Sequence, residues 1–257
     1  MTTLTEIAAH LDALLRVAEI PDFPNAVNGV QVDTPAEIKR IATAVDARER
    51  TIEAARAAGA NLLIVHHGLF WGGVQPLRGP AYRRLHALLR ADMGVYAAHL
   101  PLDAHPEFGN NALLAKALGL VPAGGFARYQ TVDIGVAGTS DLPTEQVVRR
   151  VTEFAAGYAT TARHAGVTAG RVTRRWAICT GAGASADTLR EASARGIDTL
   201  IVGEGPHWSA IDAEELGLAI VYAGHYATEV LGVRALGEHL TARFGIPSTF
   251  IDAPTGL

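Results

Sequence analysis

Three short groups of residues carry metal-binding side chains at spacings a folded chain can use. They are His66-His67-Gly68, His99-Leu100-Pro101-Leu102-Asp103 and His225-Tyr226-Ala227-Thr228-Glu229. Imidazole and carboxylate donors suit zinc, iron, manganese or nickel. The single cysteine, Cys179, excludes an internal disulfide framework and a Cys-rich zinc site. On a helix, His225 and Glu229 stand at i and i+4, on one face and within reach of one ion. His66, His67, Asp103, His225 and Glu229 exceed what one four-coordinate catalytic ion with an open position needs. Spread over two divalent ions with a shared carboxylate bridge, they are about right.

These groups need elements that end where they begin. Leu62-Leu63-Ile64-Val65 is a short apolar run without polar alternation, which reads as a strand buried on both faces. His66 and His67 then emerge at the carboxyl edge of a sheet, where open α/β sheets place their ligands. Neighbouring side chains on a strand point to opposite faces. Both histidines therefore serve one site only if the chain turns there or the site holds two ions. Gly94 to His99 reads as another buried strand, breaking into His99 and Asp103. Asp198 to Gly203 ends at Glu204, and Leu218 to Gly224 ends at His225.

The remaining elements follow from periodicity. Leu4, Ile7, Ala8, Leu11, Leu14 and Leu15 predict an opening amphipathic helix, ended by Pro21 and Pro24. Strands are expected over 29–32 and 40–45, and an alanine-rich helix over 48–58 with Gly59 as its stop. Strand, helix and histidine strand in succession point to parallel pairing. Further helices are expected at 82–91, 110–118, 144–156 and after His225, and further strands at 131–138 and 171–180. Pro122 with Gly124-Gly125 marks a joint. The expected architecture is α/β and two-lobed, with mixed sheets flanked by helices and a metal site at strand ends. Residues 1–124 plus 196–257 form the metal-binding lobe, and 125–195 an inserted second α/β lobe.

Other residues carry weaker signals. Glu204, between Gly203 and Gly205, is a candidate for proton transfer or for orienting a ligand, and His99 for the same roles. His105 and His207 are loop or pocket positions, while His10, His86, His164 and His239 read as surface. Phe70 and Trp71 read as core rather than as a base-stacking platform. Gly181-Ala182-Gly183-Ala184-Ser185 offers backbone donors before a helix but lacks the lysine of a phosphate loop.

The 257 residues are 49% hydrophobic and 19% charged, enough for a substantial core. A formal charge of −4, from 22 basic and 26 acidic residues, gives no electrostatic footprint for nucleic acid. No apolar stretch approaches the ~20 residues of a membrane span. Met1 to Glu6 lacks the basic start and apolar core of a signal peptide, so a cytoplasmic protein is expected.

His66-His67-Gly68-Leu69-Phe70-Trp71, His99-Leu100-Pro101-Leu102-Asp103 running into Gly109-Asn110-Asn111, and Gly224-His225-Tyr226-Ala227-Thr228-Glu229 together resemble the dinuclear-metal GTP cyclohydrolase I type 2-like family, also called NGG-interacting-factor-like. Asn28-Gly29-Val30-Gln31-Val32 and Gly203-Glu204 belong to the same resemblance. The chain is similar to the short bacterial type. The resemblance implies a toroidal homohexamer, two divalent metal ions (Zn, Fe, Mn or Ni) per subunit, and ligands at His66, His67, Asp103, His225 and Glu229. It also implies a small-molecule substrate, GTP or another nucleotide, with hydrolytic opening of the guanine imidazole ring by attack of a metal-activated water at C8. The alternative is a non-catalytic toroidal metal-binding scaffold with a protein or nucleic-acid partner.

Overall fold

A capping box opens the chain. Thr3 Oγ1 accepts from Glu6 N and Glu6 Oε2 accepts from Thr3 N, satisfying two orphan donors of helix α1 (Leu4–Leu14). Leu4, Ile7, Ala8 and Leu11 give that helix its buried face. The computed structural model describes residues 1–257, which separate into two compact units, each built on one sheet. Unit 1 comprises Met1–Leu102 and Gly232–Ala253; unit 2 comprises Asp103–Leu231 and Pro254–Leu257.

The sheet of unit 1 contains β1 (Gly29–Val32), β2 (Ile41–Asp46), β3 (Leu62–His67), β4 (Gly94–Ala97) and β11 (Ser248–Phe250), in the order β1-β4-β3-β2-β11. β4, β3, β2 and β11 run parallel, and β1 closes one edge antiparallel to β4. The parallel strands explain the unbroken apolar runs: in β3, Leu62 to Val65 are fully buried. Helices α2 (Glu49–Ala57) and α3 (Gly79–Arg90) make the crossovers. Ile52, Ala55 and Leu88 from these helices join Leu63, Val65 and Val95 in one core cluster.

The sheet of unit 2 contains β5 (Pro122–Tyr129), β6 (Val132–Pro143), β7 (Arg163–Ala165), β8 (Val172–Cys179), β9 (Thr199–Val202) and β10 (Ala219–Tyr222), in the order β5-β6-β8-β9-β10-β7. β8, β9 and β10 are parallel, and both edges are antiparallel. Leu114 of α5 (Asn110–Ala117) and Val147 and Val151 of α6 (Thr144–Ala156) pack with Trp176, Ile178 and Ile201. Leu189 of α7 (Ala186–Ala194) and Ala213 of α8 (His207–Glu215) pack with Ala177, Leu200 and Ile220. The short α4 (Leu100–Asp103) and the long α9 (His225–Phe244) carry the chain from one unit into the other.

The mixed α/β architecture of two sheets flanked by helices is as the sequence predicts. The unit boundaries differ from a division at 124/125 and 195/196. β9 and β10 pair with β8, so residues 199–222 belong to the sheet of unit 2 rather than returning to the first lobe. The joint expected at Pro122 and Gly124-Gly125 is the first half of β5, held by pairing with β6. No helix is long and apolar enough to cross a membrane.

Candidate metal centre

In unit 1, β3 delivers His66 and His67 at its carboxyl end, and β4 delivers His99 just beyond its own. One possible ligand atom from each of the three lies within 4.8 Å of the others. Ring centroids of His66 and His67 are 4.7 Å apart and those of His66 and His99 are 4.9 Å apart. Gly68, which follows the pair, leaves room for the Gln31 side chain. A Cβ there would collide with the Gln31 amide, whose Oε1 accepts from Leu69 N at 2.6 Å.

Each ring in this cluster is oriented through Nδ1. His66 is fully buried, and its Nδ1 lies 2.9 Å from Ala98 O. A carbonyl can only accept, so the proton sits on Nδ1 and the lone pair on Nε2. His67 Nδ1 donates to Asp46 Oδ1 at 3.0 Å, and His99 Nδ1 to Asp22 Oδ1 at 2.8 Å. Asp22 also accepts from Asn28 Nδ2 and Leu100 N. Burial raises the Asp22 pKa, but these three donors together outweigh it and hold the group below the ordinary carboxylate range. Trp71 closes the side, edge-on to His67 and His99 with centroids 5.8 and 4.7 Å away. Trp71 is half-buried against these rings and Phe70 is exposed, so neither is the core residue expected.

In unit 2, the first turn of α9 sets His225 Nε2 3.1 Å from Glu229 Oε2. The expected i, i+4 geometry is realised. His225 Nδ1 donates to Glu204 Oε1 at 2.8 Å. Burial lowers the His225 pKa, yet the hydrogen bonds and charges of Glu229 and Glu204 overcome this and raise it to about 9. Glu229 is almost fully buried. Room for its carboxylate comes from Gly181, which has φ +61° and whose N–H donates to Thr228 Oγ1 at 3.0 Å. The glycine-rich run after β8 thus serves the Glu229 carboxylate, where the sequence suggests an anion cradle.

Asp103, also buried, accepts from Asn110 Nδ2 at 2.8 Å and from Thr180 Oγ1 at 3.4 Å. Asn111 braces the same corner, taking Thr180 N on Oδ1 and donating to Ile134 O. Cys179 precedes this turn, buried, with its thiol pushed up to about 12 by burial and by nearby Asp103, Glu191 and Glu229. That chemistry makes it an inert core residue rather than a ligand.

The donor set fits divalent first-row ions. Imidazoles anchored through Nδ1 by a carboxylate or carbonyl are the usual arrangement of metal-binding histidines. His66, His67 and His99 assemble in unit 1; His225, Glu229 and Glu204 assemble in unit 2, with Asp103 in its own hydrogen-bonded corner. Sequence reasoning missed Asp22, Asp46 and Thr180, and gave Gly181 a different role. A signal existed for Asp46, which ends β2 in register with His67; none existed for Asp22, in a loop far from His99.

The chain matches the family described as Duf34/NIF3 (NGG1p interacting factor 3) over residues 2–255. It is 42% identical over 254 residues to the GTP cyclohydrolase 1 type 2 homolog of Deinococcus radiodurans, covering 98% of this chain and 94% of that protein. The Pyrococcus abyssi homolog of the same name is also 42% identical, covering 98% of each. Among solved structures, TTHA1606 from Thermus thermophilus is 36% identical with a TM-score of 0.81, and protein ybgI, titled as of unknown function, is 36% identical with a TM-score of 0.90. Both cover 100% of each chain. Reduced HcgD from Methanocaldococcus jannaschii, at 24% identity and a TM-score of 0.85 over 98% of each chain, shares the fold. On these matches and this architecture, the chain belongs to the Duf34/NIF3 family.

Proposed function

We propose that this protein is a metal-dependent hydrolase that takes two divalent ions per subunit, of Zn, Fe, Mn or Ni. The ligands would be His66, His67, Asp103, His225 and Glu229. One observation carries the reading: His66, His67 and His225 each commit Nδ1 to a fixed acceptor, which presents Nε2 as the donor atom. Surface histidines have no need of such anchoring. Bound ions would supply Lewis-acid activation of water and of the atom it attacks.

The chain's own residues do the rest. Ala98 O and Asp46 hold the unit 1 imidazoles in one tautomer, and Asn110 and Thr180 fix one oxygen of Asp103. Glu204, which accepts from His225 Nδ1, and His99, whose Nδ1 donates to Asp22, are the groups proposed to move protons. The names of the curated relatives support a nucleotide substrate, and the proposed reaction is hydrolytic opening of the imidazole ring of GTP. The motif resemblance extends the proposal to a toroidal homohexamer.

Elemental analysis and GTP turnover on the same sample test this. Close to two metals per chain with ring-opened product is the expected result. His67→Ala and Glu229→Ala are each expected to lower metal content and turnover together. Two metals without turnover would overturn the cyclohydrolase reaction and favour the scaffold alternative. Turnover by protein without metal would overturn the metal mechanism itself.

A further inference from the structure

Unit 2 contains a cleft of about 610 Å³ that reaches Glu204. Its volume falls within the roughly 300–1,000 Å³ typical of small-molecule sites. Arg163, His164 and His207 line it, together with Thr160, Tyr222 and Glu204. Arg163 and Tyr222 are directly opposed across the antiparallel pair β7–β10, so both side chains lie on one face of the sheet. The Tyr222 hydroxyl is tied to Ser209 Oγ at 2.8 Å, which fixes the ring beneath that face.

Glu204 is the only carboxylate side chain on the walls of this cleft, and it is engaged by His225 Nδ1. No ion pair neutralises Arg163, and His207 adds a further nitrogen donor, whereas His164 pairs with Val221 and points to the opposite face of the sheet. Thr160 Oγ1 is spent on Gly256 O, so the Arg163 guanidinium and the His207 imidazole are the nitrogen donors this cavity offers a ligand. They match the oxygens of a phosphate, which a guanidinium grips through two parallel hydrogen bonds. Because Glu204 spans from this cleft to His225, a ligand here sits at the edge of the His225–Glu229 cluster.

We propose that this cleft binds the phosphate chain of a nucleotide substrate, with Arg163 as the main anchor and His207 as a supporting donor. The inference rests on the hydrolase reading above for its substrate class and adds how that substrate is held. In this arrangement the phosphates supply affinity at a distance from the bond that breaks. The base and sugar contribute less, so a nucleoside binds more weakly than its triphosphate.

Isothermal titration of the full-length protein as purified, with GTP, tripolyphosphate and guanosine, tests the assignment. Metal content is measured on every sample. GTP and tripolyphosphate are expected to bind at least tenfold more tightly than guanosine. Arg163→Ala is expected to weaken both phosphate ligands about tenfold or more, leaving guanosine unchanged, with partial recovery in Arg163→Lys. An Arg163→Ala protein that keeps its metal and binds GTP as tightly as wild type would overturn the proposal. Should the substitution also disturb metal content, the position of tripolyphosphate in wild-type crystals decides. Phosphate at Arg163 supports the assignment, and phosphate elsewhere overturns it. Failure of the hydrolase reading looks different: absent metal or turnover with phosphate binding at Arg163 intact.

Discussion

His67 and Asp46 are partners twice over. They are paired across β2 and β3 in parallel register, and the His67 Nδ1 lies 3.0 Å from the Asp46 Oδ1. Strand pairing therefore delivers the carboxylate that orients the imidazole. Asp46→Ala should weaken metal binding about 10–100-fold, the usual cost of losing such a partner. Far-ultraviolet circular dichroism should stay unchanged, because Asp46 is only half-buried at the strand end. Competition with a fluorescent chelator measures the affinity; equal values for wild type and variant would remove Asp46 from the site.

Gly181 gives a second test, acting through Glu229. A methyl group on Gly181 would collide with Glu229 Oε1, at a backbone φ of +61° that disfavours any side chain. Gly181→Ala should cost about 1–3 kcal/mol of stability, as overpacking generally does. It should also reduce metal content without altering any ligand residue. Wild-type metal content in this variant would show that Glu229 does not need the space.

Stability in the core and chemistry at the site should separate. Leu63 is fully buried in β3 among Ala42, Val65 and Val95 and touches no candidate ligand's side-chain hydrogen bonds. Leu63→Ala should destabilise by about 2–5 kcal/mol in urea unfolding. Metal stoichiometry of the fraction that remains folded should match wild type.

Asp22 predicts an acid limb. Its folded pKa lies below the ordinary carboxylate value because His99, Asn28 and Leu100 donate to it despite burial. A carboxyl group more acidic in the folded state contributes stability above its unfolded pKa, near 4, and loses it as pH falls through the folded value. The stability advantage of wild type over Asp22→Asn should be full at pH 6 and shrink below about pH 4. Denaturant titrations across that range read the difference, and a gap that widens in acid would contradict the assignment.

Metal should stabilise the fold by mass action. At a free ion concentration about 100 times Kd, the gain should be about 2.7 kcal/mol, visible as a rise in Tm that a chelator reverses. His66→Ala should reduce that gain. A Tm indifferent to every first-row divalent ion would argue against a resident metal.

Much of this was readable in the residues because the strands obey local rules. The buried run Leu62 to Val65 announces a parallel strand, and the His225–Glu229 spacing needs only a helix to become a pair. What stayed hidden depends on contacts between distant segments. Pro122, Gly124 and Gly125 have the composition of a turn, yet pairing with β6 makes them strand. Asp22 lies 77 residues from His99, and no periodicity links them. The division into units was equally opaque, since it depends on β9 and β10 pairing with β8 rather than on any break in composition.

Cys179 gives the molecule a built-in clock. Its thiol is buried and its pKa is raised to about 12, so almost none is thiolate at neutral pH while the sheet is closed. A thiol-reactive dye should therefore modify the chain only at the rate at which the end of β8 opens. The adjoining Thr180-Gly181 turn braces Asp103 and clears space for Glu229. Labelling time would then report, from one atom and without mutation, how often that corner of unit 2 breathes and how far a bound ion slows it.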